Sequence, residues 1–227
     1  MVRRTRLRQV IRMKRIAYFG GTFDPVHNGH LTVARALVSL FRLERFFFLP
    51  AFHAPHKPDR PPTSGYHRFA MLSLATQGDE KIGVSTLELD KREKRYTIDT
   101  LGELHSLHLG SRIFFVMGAD SWADIRTWRN WEDVLTAADI IVVTRPGYEI
   151  SFDHVTDIAR ERIVDLRSTK ESKIENGHGR RIYITDAVRF DTSATELRTD
   201  LSDGHLERAE DLPLVVAKYI EKYELYR

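Results

Sequence analysis

The chain has 227 residues, a formal net charge of +3, 42% hydrophobic and 30% charged residues, and no cysteine. That length suits one domain with a substantial core, and the composition is that of a soluble globular protein. The missing cysteine removes disulfide and thiolate chemistry from consideration, and no apolar run approaches the ~20 residues of a membrane span, so the cytoplasm is the expected compartment.

The positive balance is local. Residues 1–15 hold Arg3, Arg4, Arg6, Arg8, Arg12, Lys14 and Arg15, and removing these seven from the 35 basic residues leaves 28 against 32 acidic ones, a balance of −4. A short basic arm can touch RNA or a membrane surface. This one has little apolar content to anchor it, so residues 1–14 are expected to be a disordered extension or the result of a start codon placed upstream of Met13.

From residue 15 onward, apolar runs alternate with helical periodicity. Ile16 to Phe19 form a short strand, and Leu31, Ala34, Leu37, Val38 and Phe41 then repeat at helical spacing. Phe46 to Leu49 form a second strand, ended by Pro50. The Pro-rich loop 51–58 follows, carrying His53, His56 and Lys57. Tyr66 to Thr76 reads as a helix, Ile82 to Ser85 as a weak strand, and Thr97 to Leu109 as a helix closed by Gly110. Arg112 to Met117 is the clearest strand, and Ile140 to Val143 is another. Residues 168–180 are polar and expected to be an exposed loop. A short strand, Arg181 to Thr185, and two helices, Ala194 to Leu201 and Pro213 to Tyr223, close the chain. Strands alternating with helices imply right-handed crossovers, and the expected fold is α/β: a Rossmann-like, doubly wound, mostly parallel sheet over residues 15–227 with a small helical region at its C-terminal end.

The stretch Gly20-Gly-Thr-Phe-Asp-Pro-Val-His-Asn-Gly-His30 joins the first strand to its helix, at the sheet edge where open α/β folds bind ligands. Gly20 and Gly21 carry no side chain where a phosphate would approach the backbone, and amides near a helix start can meet an anion. It is neither the dinucleotide fingerprint nor a Walker loop. His27 and His30 are three apart and fall on one helical face, from which imidazoles can donate to phosphoryl oxygens. Read alone, the pair could be surface decoration or half a metal site, but the chain has no cysteine and offers no obvious third ligand beside the pair, so no protein-held metal is expected. Lys57, Arg145 and Arg198 are further cations expected at neighbouring strand ends. Ser193, Thr195 and Arg198 suit either a grip on a polyphosphate or an ordinary helix cap with a solvated arginine. Trp128 and Trp131 suit either a platform for a flat ring or core packing at i and i+3.

The glycine stretch resembles the signature of the nucleotidyltransferase superfamily that carries a His-x-Gly-His motif. Ser193-Ala-Thr-Glu-Leu-Arg198 is similar to the Ser-Ser-Thr-x-x-Arg motif that accompanies it, with Ala194 in place of the second serine. Pro55-His-Lys57, Tyr96-Thr-Ile-Asp-Thr-Leu101, Gly118-Ala-Asp120, Thr127-Trp128 with Trp131, and Arg145-Pro-Gly147 follow the order and spacing of bacterial nicotinate-nucleotide adenylyltransferases. The resemblance spans about residues 14–223. It implies transfer of AMP from ATP to nicotinate mononucleotide, giving deamido-NAD and pyrophosphate, with Mg²⁺ travelling on the ATP phosphates. It implies His27, His30, Lys57 and Arg198 as catalytic residues. ATP would meet Gly20, Gly21, Thr22, Phe23 and His30 at the turn, Gly118 and Asp120 at the ribose, and Arg145, Ser193, Thr195 and Arg198 at the phosphates. The acceptor would meet Asp24, Lys57, Thr97 and Trp128, and Asp24 could instead orient the turn or approach the metal. The partners implied are small molecules, with no membrane and no nucleic acid, and a homo-oligomer is compatible with the family. Two rivals are pantetheine-phosphate adenylyltransferase, which shares the glycine turn but has a shorter chain and no such Trp128 region, and a non-catalytic nucleotide or RNA binder using the basic arm.

Overall fold

The computed structural model describes residues 13–52, 62–91, 93–144, 149–167, 179–186, 194–202 and 209–226. A seven-stranded sheet runs in the order β3-β2-β1-β4-β5-β7-β6, formed by β1 (Arg15–Gly21), β2 (Arg45–Pro50), β3 (Ile82–Val84), β4 (Arg112–Gly118), β5 (Asp139–Val143), β6 (Ile163–Asp165) and β7 (Ile182–Thr185). Every strand pair is parallel. The order reverses between β1 and β4, and that switch point lies beside the glycine turn.

Strand alternation sorts the core into two layers. Ala17, Phe19, Phe46, Phe48, Phe114, Val116, Ile141 and Tyr183 face one side. There they meet Leu31, Ala34 and Leu37 of α1 (Asn28–Leu40), Met71 and Leu72 of α2 (Gly65–Thr76), Leu197 of α7 (Ala194–Ser202), and Val216 and Ile220 of α8 (Leu214–Lys222). Tyr18, Ile113, Phe115, Met117, Ile140 and Val142 face the other, against Leu101 and Leu104 of α3 (Thr97–Leu107), Trp122 of α4 (Ala119–Ala123), Val134 and Leu135 of α5 (Trp131–Ala137), and Ala159 of α6 (Asp157–Arg160). The doubly wound expectation holds.

Helix ends explain where elements stop. After α1, Arg42 is left-handed (φ 49°), Arg42 donates its N–H to Ser39, and Leu43 donates to Val38 at 3.0 Å, the pattern of a Schellman motif with arginine at the usual glycine position. Helix α3 ends two residues earlier than its periodicity predicts. His108 leaves helical geometry, its ring meets the Tyr18 hydroxyl at 2.7 Å, and Gly110 takes the left-handed φ of 74°. Helices α4, α5 and α6 and strand β6 are additions that the sequence reading lacks, each of seven residues or fewer. Among the described residues, no helix is long and apolar enough to cross a membrane. The arm 1–12 and most of the predicted loop 168–180 lie outside the described residues.

At the opposite end of the sheet from the glycine turn, Arg112 grips Asp139 with two bonds of 2.7 Å, and the Arg181 amide donates to the same carboxylate at 2.9 Å. Asp139 is 2% exposed. Removing one partner of a buried pair leaves an uncompensated charge, so Asp139→Ala is expected to lower unfolding free energy by about 3 kcal/mol or more in urea titrations. A loss below about 1 kcal/mol would mean that solvent reaches the pair.

Candidate active site

The turn between β1 and α1 is built around aromatic rings. A Cβ on Gly20 would come within 2.8 Å of the Phe115 ring, and one on Gly21 within 2.8 Å of the Phe23 ring. Both glycines are therefore needed for packing as well as for any approach of a phosphate. Phe23 sits at φ 52°, and its ring meets the edges of Phe19, Phe48 and His30 at centroid distances of 5.4, 5.1 and 5.1 Å. The Asp24–Pro25 peptide is cis. His27 then takes the N-cap position, and α1 has no acidic residue in its own first turn to oppose an anion at the positive end of its dipole.

The two imidazoles stack at a centroid distance of 3.7 Å, with 34° between their planes. The His27 backbone N–H donates to His30 Nδ1 at 3.3 Å, which assigns the His30 proton to Nε2 and leaves that nitrogen a donor. Burial, and secondarily the charge that His27 can carry, hold the His30 pKa well below the ordinary histidine value of 6.5. His30 is neutral in the free protein at neutral pH.

Beneath the turn lies a buried polar network that the sequence reading did not identify. Arg68 on α2 is wholly inaccessible to solvent and donates to three carbonyls: Thr63 at 2.8 Å, Thr22 at 2.8 Å and Ala51 at 2.7 Å. One guanidinium thus ties the glycine turn to the end of β2 and to the approach to α2. Burial lowers the Arg68 pKa, and the charges of Asp24 and Tyr226 act against that shift. Asp24 is 5% exposed, and one carboxylate oxygen accepts the Tyr226 hydroxyl at 2.6 Å while the other accepts the Thr63 amide at 3.0 Å. Its backbone carbonyl accepts Arg198 Nη1 at 2.6 Å, and Arg198 Nη2 reaches the Thr195 hydroxyl at 3.2 Å. Of the roles left open for Asp24, this geometry matches orientation of the turn. Both carboxylate oxygens are engaged by partners inside the chain. The helical spacing of Arg68 with Met71 and Leu72 was the signal available for its burial.

Of the remaining expected residues that the structure describes, Gly118 and Asp120 follow β4 at the same edge. The register that pairs Phe19 with Val116 brings Gly118 level with Gly21 across the β1–β4 switch. A Cβ on Gly118 would sit 2.5 Å from an Asp120 carboxylate oxygen, which accepts the Ser121 amide at 2.8 Å, so a side chain there would displace the Asp120 carboxylate. Trp128 and Trp131 do not share a helix: Trp128 is extended, Asn130 is left-handed at φ 51°, and Trp131 opens α5. Both rings are only partly buried against the core. The Trp128 ring lies edge-on to Phe115 at 6.3 Å, so one phenyl ring touches both the Gly20 backbone and the tryptophan. Arg129 places its guanidinium 4.7 Å from the Tyr96 ring centre, bringing the start of α3, with Thr97, beside the Trp128 segment. Lys57, Arg145 and Ser193 lie outside the described residues. Among the described residues, no three His, Asp or Glu side chains gather as a metal-ligand set.

The family described as Cytidylyltransferase-like matches residues 18–200. A protein of Thermoanaerobacter sp. (strain X514) named "Probable nicotinate-nucleotide adenylyltransferase" is 35% identical over 214 residues, covering 94% of each chain. One of Solibacter usitatus (strain Ellin6076) with the same name is 37% identical over 213 residues, covering 93% of this chain and 99% of its own. The chain belongs to the cytidylyltransferase-like family, among its nicotinate-nucleotide adenylyltransferases. The fold is also that of the Plasmodium falciparum nicotinic acid mononucleotide adenylyltransferase complexed with NaAD, at TM-score 0.73 and 20% identity over 94% of this chain and 97% of that one. In this adenylyltransferase, then, the glycine turn, both histidines, Asp24 and Arg198 converge at the strand edge, with Trp128 one phenyl ring away.

The His30 environment has a consequence for stability. Its pKa is depressed on folding, so the unfolded chain binds more protons below the unperturbed value of 6.5. Its contribution is complete above that value and is lost as pH falls through the folded pKa. Urea midpoints of the ligand-free protein are expected to fall from about pH 7 to about pH 5, and His30→Asn to flatten that slope. Parallel pH profiles for the two proteins would contradict the assigned neutral state.

Proposed function

We propose that the protein transfers AMP from ATP to nicotinate mononucleotide, releasing pyrophosphate and forming deamido-NAD, by direct in-line attack at the α-phosphorus. The observation that carries this reading is the junction of the glycine turn, the stacked His27–His30 pair and Arg198 at the start of α1. The acceptor specificity rests on close relatives at 35–37% identity over nearly the whole chain. Those names also disfavour the pantetheine-phosphate reading and the non-catalytic one.

The acceptor phosphate is ionised near neutrality, so no general base has to remove a proton from it. Its oxygen forms the new bond to the α-phosphorus as the bond to the bridging oxygen of pyrophosphate breaks. The protein must hold two anions that repel each other and stabilise the charge that spreads over the α-phosphoryl oxygens. Neutral His30, with its proton on Nε2, is a donor suited to that task, and the approach of a triphosphate raises its affinity for a second proton. Arg198 and the first amides of α1 add positive potential, and Lys57, Arg145 and Ser193 are assigned the same work by motif. Mg²⁺ would come as part of the substrate, on the ATP phosphates, and would supply further neutralisation of their charge. Trp128 is assigned to the pyridine ring and Thr97 to its carboxylate, while Gly118 and Asp120 are assigned to the ATP ribose.

Pyrophosphate release from ATP with nicotinate mononucleotide, its amide counterpart or phosphopantetheine tests the reading. Turnover with phosphopantetheine alone would overturn it. His30→Ala is expected to lower turnover by something like 10²–10⁴-fold with the fold intact by circular dichroism, and near-normal turnover would remove His30 from the site. Trp128→Ala is expected to raise the acceptor KM more than the ATP KM, whereas an equal rise in both would contradict the stacking role.

A further inference from the structure

Tyr226 lies 202 residues from Asp24 in sequence, yet its hydroxyl meets the Asp24 carboxylate at 2.6 Å in a buried contact. The backbone that delivers it is specialised. After α8, Glu224 is left-handed at φ 51°, Glu224 donates its N–H to Glu221, and Leu225 donates to Ile220 at 3.1 Å, closing a Schellman turn without the customary glycine. Tyr226 is then left-handed as well, at φ 70°, so two of three successive residues occupy a region that L side chains disfavour. The ring ends 9% exposed within the same core layer as Phe19, Phe23 and Leu31. The carboxylate it holds belongs to the residue whose carbonyl receives Arg198 Nη1 at 2.6 Å.

We infer that Tyr226 is a positioning residue for AMP transfer: its hydroxyl fixes Asp24, and Asp24 fixes the Arg198 guanidinium against the glycine turn. The inference rests on the functional reading above and adds to it the segment after α8. Asp24 has two anchors of different origin, since the Thr63 amide comes from the approach to α2 and the hydroxyl from beyond α8. Loss of the hydroxyl leaves one carboxylate oxygen buried without its donor, and the turn is then held from one side only. The consequence falls on the phosphate end of the site and not on the Trp128 end.

Steady-state kinetics on Tyr226→Phe, Arg198→Met and the double variant test this, with Tyr223→Phe as a control on the half-exposed neighbouring tyrosine. Tyr226→Phe is expected to lower kcat/KM for ATP about tenfold, the size of one lost buried hydrogen bond, while the acceptor KM moves less than about twofold. In the Arg198→Met background the same change is expected to cost less than about twofold, because the residue it acts through is already gone. Wild-type kcat/KM in Tyr226→Phe would overturn the inference, as would an undiminished tenfold loss in the Arg198→Met background, which is the result of a purely structural role. The dissociation constant of a non-hydrolysable ATP analogue, measured calorimetrically, separates this from failure of the functional reading. Absence of pyrophosphate release by the unaltered protein would overturn that reading, whereas about tenfold weaker analogue binding by Tyr226→Phe would still support the positioning role of Tyr226 and equal binding would sink it.

Discussion

One buried guanidinium, that of Arg68, underlies the whole site. Isolating a guanidinium from water costs several kcal/mol unless its donors are matched, and here three backbone carbonyls do the matching while the charge of Asp24 favours the protonated form. Those carbonyls come from Thr22, Ala51 and Thr63, so the compensation is inseparable from the relative placement of three segments at the carboxyl edge of the sheet. A hydrophobic residue could fill the volume. It could not specify where three peptide carbonyls point.

The same economy of charge governs the catalytic edge. The two imidazoles of His27 and His30, with centroids 3.7 Å apart, are too close for both to be charged without mutual cost, and burial favours the neutral form of His30. The free site therefore waits with dipolar donors: an imidazole Nε2–H, backbone amides at the head of α1, and a first turn free of acidic residues. Arg198 supplies fixed charge and is itself oriented by a backbone carbonyl, which leaves the Asp24 carboxylate to its structural partners. Such a site is electrically complete only when an anion enters. For a reaction between two phosphates, charge held in place before binding lowers the reorganisation needed during transfer.

Much of this was legible in the sequence because the signals are periodic or contiguous. The apolar runs at Phe46 to Leu49, Arg112 to Met117 and Ile140 to Val143 could only be strands buried on both faces, and the spacing of Leu31, Ala34 and Leu37 could only be one helix face. The glycine turn stood out because its unusual residues are adjacent. Arg68 did not, because an arginine in an amphipathic helix reads as solvated until its partners are known, and those partners are backbone carbonyls that carry no residue type. Tyr226 depends on two left-handed backbone positions that glycine would have advertised and that Glu224 and Tyr226 conceal. The packing need for Gly20 and Gly21 was hidden for a related reason: the ring that fills the space over Gly20 belongs to Phe115, on a different strand. Helices of four to seven residues such as α4, α5 and α6 are too short to show a period at all.

The account stands or falls on where a triphosphate sits. A crystal structure of the protein with a non-hydrolysable ATP analogue is the most direct measurement. It is expected to show the α-phosphate at the head of α1, within hydrogen-bonding reach of His30 Nε2, with Arg198 still resting on the Asp24 carbonyl. Phosphates bound away from the glycine turn, or a His30 ring pointing into the core with the nucleotide in place, would contradict it.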